Sequence, residues 1–118
     1  MDIVQTPRID KRMKAALALA ELSRCRNRHG AVLLNGGVVI SAGVNSSKLS
    51  SEEITDDNWR SAGMHAEAAA IISAGSAASG SIVYVSRVNK AGQPVQSAPC
   101  KRCQGLAERR GVRKIVHT

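Results

Sequence analysis

The chain has 118 residues, 43% of them hydrophobic and 22% charged, a size that lets a domain bury roughly two thirds of its unfolded surface and leaves no room for a second. No apolar run approaches the ~18 residues of a membrane helix, and Met1 to Arg12 lacks the apolar core of a secretion signal, which argues against membrane and secreted classes. Seventeen Lys and Arg against nine Asp and Glu leave a net charge of +8, an excess that attracts nucleotides, nucleic acids or phosphate-bearing lipids, or serves solubility alone.

In chain order, Met1 to Arg12 reads as a solvated lead-in to a helix, with Thr6 as N-cap and Pro7 at the first helical position. Met13, Ala16, Leu17 and Ala20 recur at helical spacing, so the helix runs to about Arg24. Ala31 to Leu34 and Val38 to Ile40 are short apolar runs on either side of Gly36 and Gly37, which predicts a β-hairpin. Asn45 to Gly63 is rich in Ser, Asp and Glu and too long for an idle connection, so it reads as a functional loop beside a site.

Met64 to Ala74 is dense in alanine and predicts a helix able to lie close against a sheet, ended by Gly75 to Gly80. Ile82 to Val85 is a third strand, Arg87 to Ala98 a loop, and Pro99 opens a helix that reaches about Arg110 and stops at Gly111. Val112 to His117 is a fourth strand. Helices alternating with strands after a hairpin predict a single α/β domain over residues 1–118, a sandwich on a mixed sheet of about four strands.

The chemistry concentrates at two predicted helix starts. His65, Ala66 and Glu67 open one; Pro99, Cys100, Lys101, Arg102 and Cys103 open the other. The i, i+3 spacing puts both cysteine sulfurs on one helical face, and the positive end of the helix favours their thiolate form. His65 completes a three-ligand zinc set whose fourth tetrahedral position stays open for water, as in a catalytic rather than a structural site. Glu67, two residues beyond His65, does not share that ligand's face and fits a proton shuttle beside the water. An odd count of three cysteines, two of them closely spaced, suits metal or redox chemistry in a reducing, cytoplasmic compartment better than a disulfide framework.

His65-Ala66-Glu67 followed by Pro99-Cys100-Lys101-Arg102-Cys103 resembles the H-x-E…P-C-x-x-C signature of the cytidine deaminase superfamily, and the predicted elements follow that family's order across nearly the whole chain. The resemblance implies a three-layer α/β/α fold, one zinc ion per chain, and hydrolytic deamination of a cytosine nucleoside or nucleotide to the uracil form with release of ammonia. It implies that Asn45 contacts the substrate sugar, and that the Ala66 N–H and the Ala98 carbonyl meet the polar edge of the base. Trp59 could stack on the base or cap the core. Histidine in the first motif position points to a phosphate-bearing substrate.

Relatives commonly continue beyond the last strand read here, so that strand should leave an exposed edge, and self-association into a homo-oligomer would cover it. Ligands for a second zinc are missing between Asn45 and His65.

Alternatives stay open at this stage. One is action on cytosine or adenine within single-stranded DNA or tRNA, although only Trp59 and Tyr84 could stack on bases. Another is a silent, zinc-stabilised nucleic-acid-binding module, against which Glu67 argues. Cys25 could close the metal site as a fourth ligand but reads more simply as a small buried or idle residue. His29 and His117 read as structural. Arg24, Arg26, Arg28, Lys101, Arg102, Arg109 and Arg110 form either a phosphate-binding rim or a solvated face.

Overall fold

A computed structural model describes residues 1–46 and 64–118. Residues 47–63, which hold Trp59 and most of the expected functional loop, lie outside the described part. Among the described residues, β1 (Asp2–Gln5), β2 (Arg28–Asn35), β3 (Val38–Val44), β4 (Ile82–Val88), β5 (Pro94–Val95) and β6 (Lys114–His117) form one sheet in the order β1-β6-β4-β2-β3, with β5 beside β4. The sheet is mixed: β6 runs parallel to β1 and β4, and the β2 to β3, β2 to β4 and β4 to β5 pairs are antiparallel. The helices are α1 (Lys11–Leu22), α2 (Ala66–Ala74) and α3 (Lys101–Arg109), with a 3-10 turn over Gly75–Ala78.

The period of two along the strands sorts side chains into two cores. Ala31, Leu33, Val83, Val85 and Ile115 face α2 and α3, meeting Ala66, Ala70, Ile71, Cys103 and Leu106. Val32, Leu34, Tyr84 and Val116 face the other way, onto Met13 and Ala16 of α1. This is the expected α/β/α sandwich on a mixed sheet. The hairpin also stands as expected, with Gly36 and Gly37 at φ 63° and 79°, the left-handed pair that a two-residue turn between twisted strands requires. No helix among the described residues is long and apolar enough to cross a membrane.

The N-terminus differs from expectation, and so does the strand count. Residues read as a solvated helix lead-in form β1, which pairs in parallel with β6 from Asp2 opposite Lys114 to Gln5 opposite His117. The ladder continues as Thr6 N–H donates to His117 O at 2.8 Å. Thr6 therefore leaves the strand, and its Oγ1 accepts from Arg8 N at 3.1 Å in a local turn. The N-cap of α1 is Asp10, whose carboxylate accepts from the N–H groups of Arg12 and Met13 at 3.1 and 3.0 Å. An aspartate does this well because it meets two orphan donors and the positive helix end together. With β1 in place, β6 is an inner strand, and the bare β6 edge that motivated self-association does not exist. The six strands also include the two-residue β5, too short to show any alternation.

Close approach of helix to sheet depends on residues without bulk. A Cβ at Gly43 of β3 would overlap Ala66 O and crowd Ala69 Cβ and Ala70 N of α2; one at Gly30 of β2 would overlap backbone atoms of Ala16 and Ala20 of α1. Because backbone atoms cannot swing aside as a side-chain tip can, Gly43→Ala is expected to lower unfolding free energy by about 1–3 kcal/mol. The urea midpoint checks this, and an unchanged midpoint would contradict the close seating of α2.

Candidate active site and metal centre

Seating α2 and α3 on one face of the sheet brings their N-termini together. His65 is the N-cap of α2 and Cys100 the N-cap of α3, both with extended backbone. Cys103 follows one turn along and is fully buried. The segment leading into α3 is tied to the sheet: Ser97 Oγ donates to Val85 O at 3.0 Å, and Ser97 N donates to Thr118 O at 3.0 Å. Gln104 Nε2 then donates to Pro99 O at 2.9 Å, closing the turn around Cys100. Val85 belongs to β4, Gln104 to α3, and Thr118 directly follows β6, so the segment that carries Cys100 is tied to regular elements.

His65 Nδ1 lies 3.5 Å from Cys100 Sγ and 3.3 Å from Cys103 Sγ, and the three ligand atoms fall within 4.8 Å of one another. A tetrahedral zinc with Zn–S near 2.3 Å and Zn–N near 2.0–2.1 Å separates its ligand atoms by roughly 3.5–3.8 Å, so the set suits that ion with small side-chain adjustments. Electrostatics agree. Burial pushes the Cys103 thiol up, and the neighbouring Glu67 and Cys100 push it the same way, so this group ionises readily only with a cation beside it. Burial, then Arg102, lowers His65, favouring the neutral imidazole that ligates.

Glu67 sits in the first turn of α2 and is 4% exposed. Burial raises its pKa, against hydrogen bonds from its own backbone N–H and from Cys103. A carboxyl group pushed toward neutrality beside a metal-ligand set is suited to holding and releasing a proton. The closed four-ligand alternative fails: Cys25 is not part of the cluster, and its Sγ donates to Asn45 O at 3.4 Å instead.

A cavity of about 260 Å³ opens onto this cluster, lined by Asn27, His29, Asn45, His65, Ala66, Glu67, Ala98 and Cys100. It lies just below the usual range for ligand pockets, roughly 300–1,000 Å³. The sequence-predicted Asn45, Ala66 and Ala98 are therefore brought to one wall with the metal cluster, whereas Trp59 is outside the described residues. Asn27 and His29 were missed. A signal for His29 existed, because counting back in twos from Ala31 and Leu33 places it on the face that α2 and α3 cover. The sequence reading of His29 as structural did not include this place on the cavity. Burial lowers its pKa, the hydrogen bond with Asn27 opposes that, and Arg87 and His65 lower it further. A larger hollow of about 470 Å³, lined by Gln5, Thr6, Pro7, Ile9, Pro94, Val95, Gln96 and Thr118, contains none of these groups.

Residues 7–118 match the family model described as the cytidine and deoxycytidylate deaminase zinc-binding region. Among solved structures, the fold is similar to dCMP deaminase from the cyanophage S-TIM5 in apo form, with TM-score 0.66 and 22% identity over 96% of this chain and 86% of that one. The same phage enzyme in complex with dCMP and dUMP matches with TM-score 0.63 and 22% identity, over 90% of this chain and 79% of that one. Guanine deaminase from Bacillus subtilis matches with TM-score 0.58 and 23% identity, over 91% of this chain and 61% of that one. The search of curated proteins returned no match.

The Glu67 shift has a consequence for stability in zinc-free protein. A carboxyl whose folded pKa is raised costs nothing below its unfolded pKa, where both states are protonated, and destabilises progressively as pH rises above it. Chelator-treated Glu67→Gln protein is therefore expected to melt at a higher temperature than the chelator-treated parent at pH 7, the gap closing near pH 4. Thermal scans at the two pH values check this; a parent as stable as the variant at pH 7 would contradict the burial cost.

Proposed function

The chain belongs to the family of cytidine and deoxycytidylate deaminase zinc-binding domains, and on that premise we propose that it is a zinc-dependent hydrolytic deaminase converting a cytosine nucleoside or nucleotide to the uracil form with release of ammonia. The observation that carries this reading is a buried carboxyl, Glu67, beside a three-ligand metal cluster on a cavity of about 260 Å³. A purely structural zinc site has no use for such a group.

His65, Cys100 and Cys103 hold the metal, which when bound supplies the Lewis acidity that brings ionisation of a water near neutral pH. Glu67 accepts a proton from the attacking water and passes it to the ring nitrogen next to the amino-bearing carbon. The same carboxyl then takes the remaining proton from the hydroxyl now on that carbon and gives it to the departing amine, so the C–N bond breaks, the C=O bond forms, ammonia leaves and the base becomes uracil. The Ala66 N–H and Ala98 carbonyl meet the polar edge of the base, holding its amino carbon toward the water. The buried position of Glu67 limits access of bulk water to the proton in transit.

A phosphate-bearing pyrimidine is favoured by two cations near the site. Arg87 and Arg102 lie close enough to His29 and His65 for their charges to act on those rings. The phage enzyme that shares the fold is described with dCMP and dUMP bound. Polynucleotide substrates have less support. Tyr84 packs in the α1 core with Arg12 5.4 Å from its ring centre, on the opposite face of the sheet from the cavity, so it is no platform for a splayed base.

Zinc-loaded protein incubated with dCMP, CMP, cytidine and single-stranded DNA is expected to release ammonia from the cytosine monomers, with mass spectrometry identifying the uracil product. No release from any of them would overturn the reading. Glu67→Gln should keep zinc and fold but lose turnover by about 10²–10⁴-fold, as read from steady-state rates and metal content of the same preparation.

A further inference from the structure

The side-chain amide of Asn45 is largely committed inside the protein. Its Oδ1 accepts from Ser23 Oγ at 2.6 Å and from His29 N–H at 2.9 Å, and its Nδ2 donates to Asn27 O at 2.6 Å. An amide oxygen has two lone pairs and an amide nitrogen two hydrogens, so the oxygen is fully used and only one N–H is left. Asn45 thus ties the end of β3 to the segment between α1 and β2, and it has little left with which to read a sugar.

His29 is placed differently. Its Nδ1 lies 3.3 Å from Asn27 O; a carbonyl can only accept, so Nδ1 carries the hydrogen and the neutral ring presents Nε2 as an acceptor. The residue lines the same cavity as His65, Glu67 and Ala98, and its backbone N–H is pinned by Asn45. The ring is therefore fixed at both its backbone and its Nδ1, as a specificity element must be.

We propose that His29 is a specificity-determining residue whose Nε2 accepts a hydrogen bond from a ribose or deoxyribose hydroxyl of the substrate, with Asn45 as the positioning residue behind it. This rests on the cytosine reading given above, and the chemistry of that base selects the hydroxyl. Linked to a sugar, cytosine offers acceptors at its ring nitrogen and carbonyl oxygen, and its one donor is the amino group that must face the metal cluster. A lone pair elsewhere on the cavity wall then has the sugar hydroxyls as its available donors.

The experiment compares kcat and KM of zinc-loaded parent, His29→Val and His29→Gln on CMP, dCMP and 2′,3′-dideoxycytidine monophosphate, a series losing one hydroxyl at a time. The parent should show a drop of about three- to tenfold in kcat/KM at one step of the series, the worth of a neutral hydrogen bond. In His29→Val that step should vanish, and in His29→Gln, whose amide oxygen is an acceptor, it should return in part. A merely structural role would lower all three substrates together and leave the step in place. A parent that handles all three alike, or a valine variant that keeps the step, overturns the proposal while leaving deamination intact. Zinc-bound parent that releases ammonia neither from these three nor from cytidine removes the cytosine reading itself, and this inference with it.

Discussion

Two thiols, an imidazole and a carboxyl group crowded around one point beneath the sheet are the constraint to which the rest of the fold answers. Left to themselves these groups are at odds: burial raises Cys103 and Glu67, and the charges of Glu67 and Cys100 push the Cys103 thiol up further. A dication reverses the balance, because it stabilises the thiolates and the neutral imidazole that ligate it. The same burial that makes the zinc-free cluster unfavourable pushes the Glu67 carboxyl toward its neutral, proton-holding form. Stability is given up locally where function requires it.

That crowding is achieved by leaving bulk out. Helix α2 reads Ala66-Glu67-Ala68-Ala69-Ala70, and its backbone lies directly over Gly43. On the far face α1 lies over Gly30 in the same manner. A larger residue at either glycine would hold the helix off the sheet, and an outward shift of α2 would separate His65 from thiols now 3.3 and 3.5 Å away. The composition reflects this: one tryptophan, one tyrosine and no phenylalanine, with a core built mostly of alanine, valine, leucine and isoleucine. Close packing of small residues here serves position as much as burial.

Much of this was legible in the sequence because it is local. The metal cluster combines an i, i+3 cysteine pair with a histidine at a second helix start, and helix starts announce themselves through proline, alanine and the end of a polar loop. The hairpin was legible from Gly36 and Gly37. What escaped was long-range. Strand β1 has only Ile3 and Val4 as apolar residues between Asp2 and Gln5, all four exposed, and it exists because it pairs with a strand at the other end of the chain. Nothing within its own few residues signals that partner. Thr6 and Pro7 carry helix-start chemistry, yet Asp10 carries it better, and the ladder from β1 to β6 holds Thr6 out of reach of the helix. The hydrogen bonds of Asn45 to Ser23, Asn27 and His29 were not legible either, because such partners are set by the way the chain folds back.

The polar wall of the cavity bears on how a substrate can be told from its analogues. Pockets that grip a base between aromatic faces gain affinity with little regard to which base it is, since every base has such a face. Here Tyr84 is committed to the opposite core, and the described wall consists of two side-chain amides, the His29 imidazole, the Glu67 carboxyl, two alanines and the metal-cluster residues His65 and Cys100. Recognition on such a wall comes from hydrogen bonds to groups already held in place by Asn45 and Asn27. A site of that kind rejects a molecule lacking the matching donor more strongly than one that is slightly too large or too small, because the unmatched partner is left buried and unpaired. The rigid polar groups of the described wall would then weigh in the choice of substrate, and Arg87 and Arg102 would draw an anion toward the cavity without deciding which one remains.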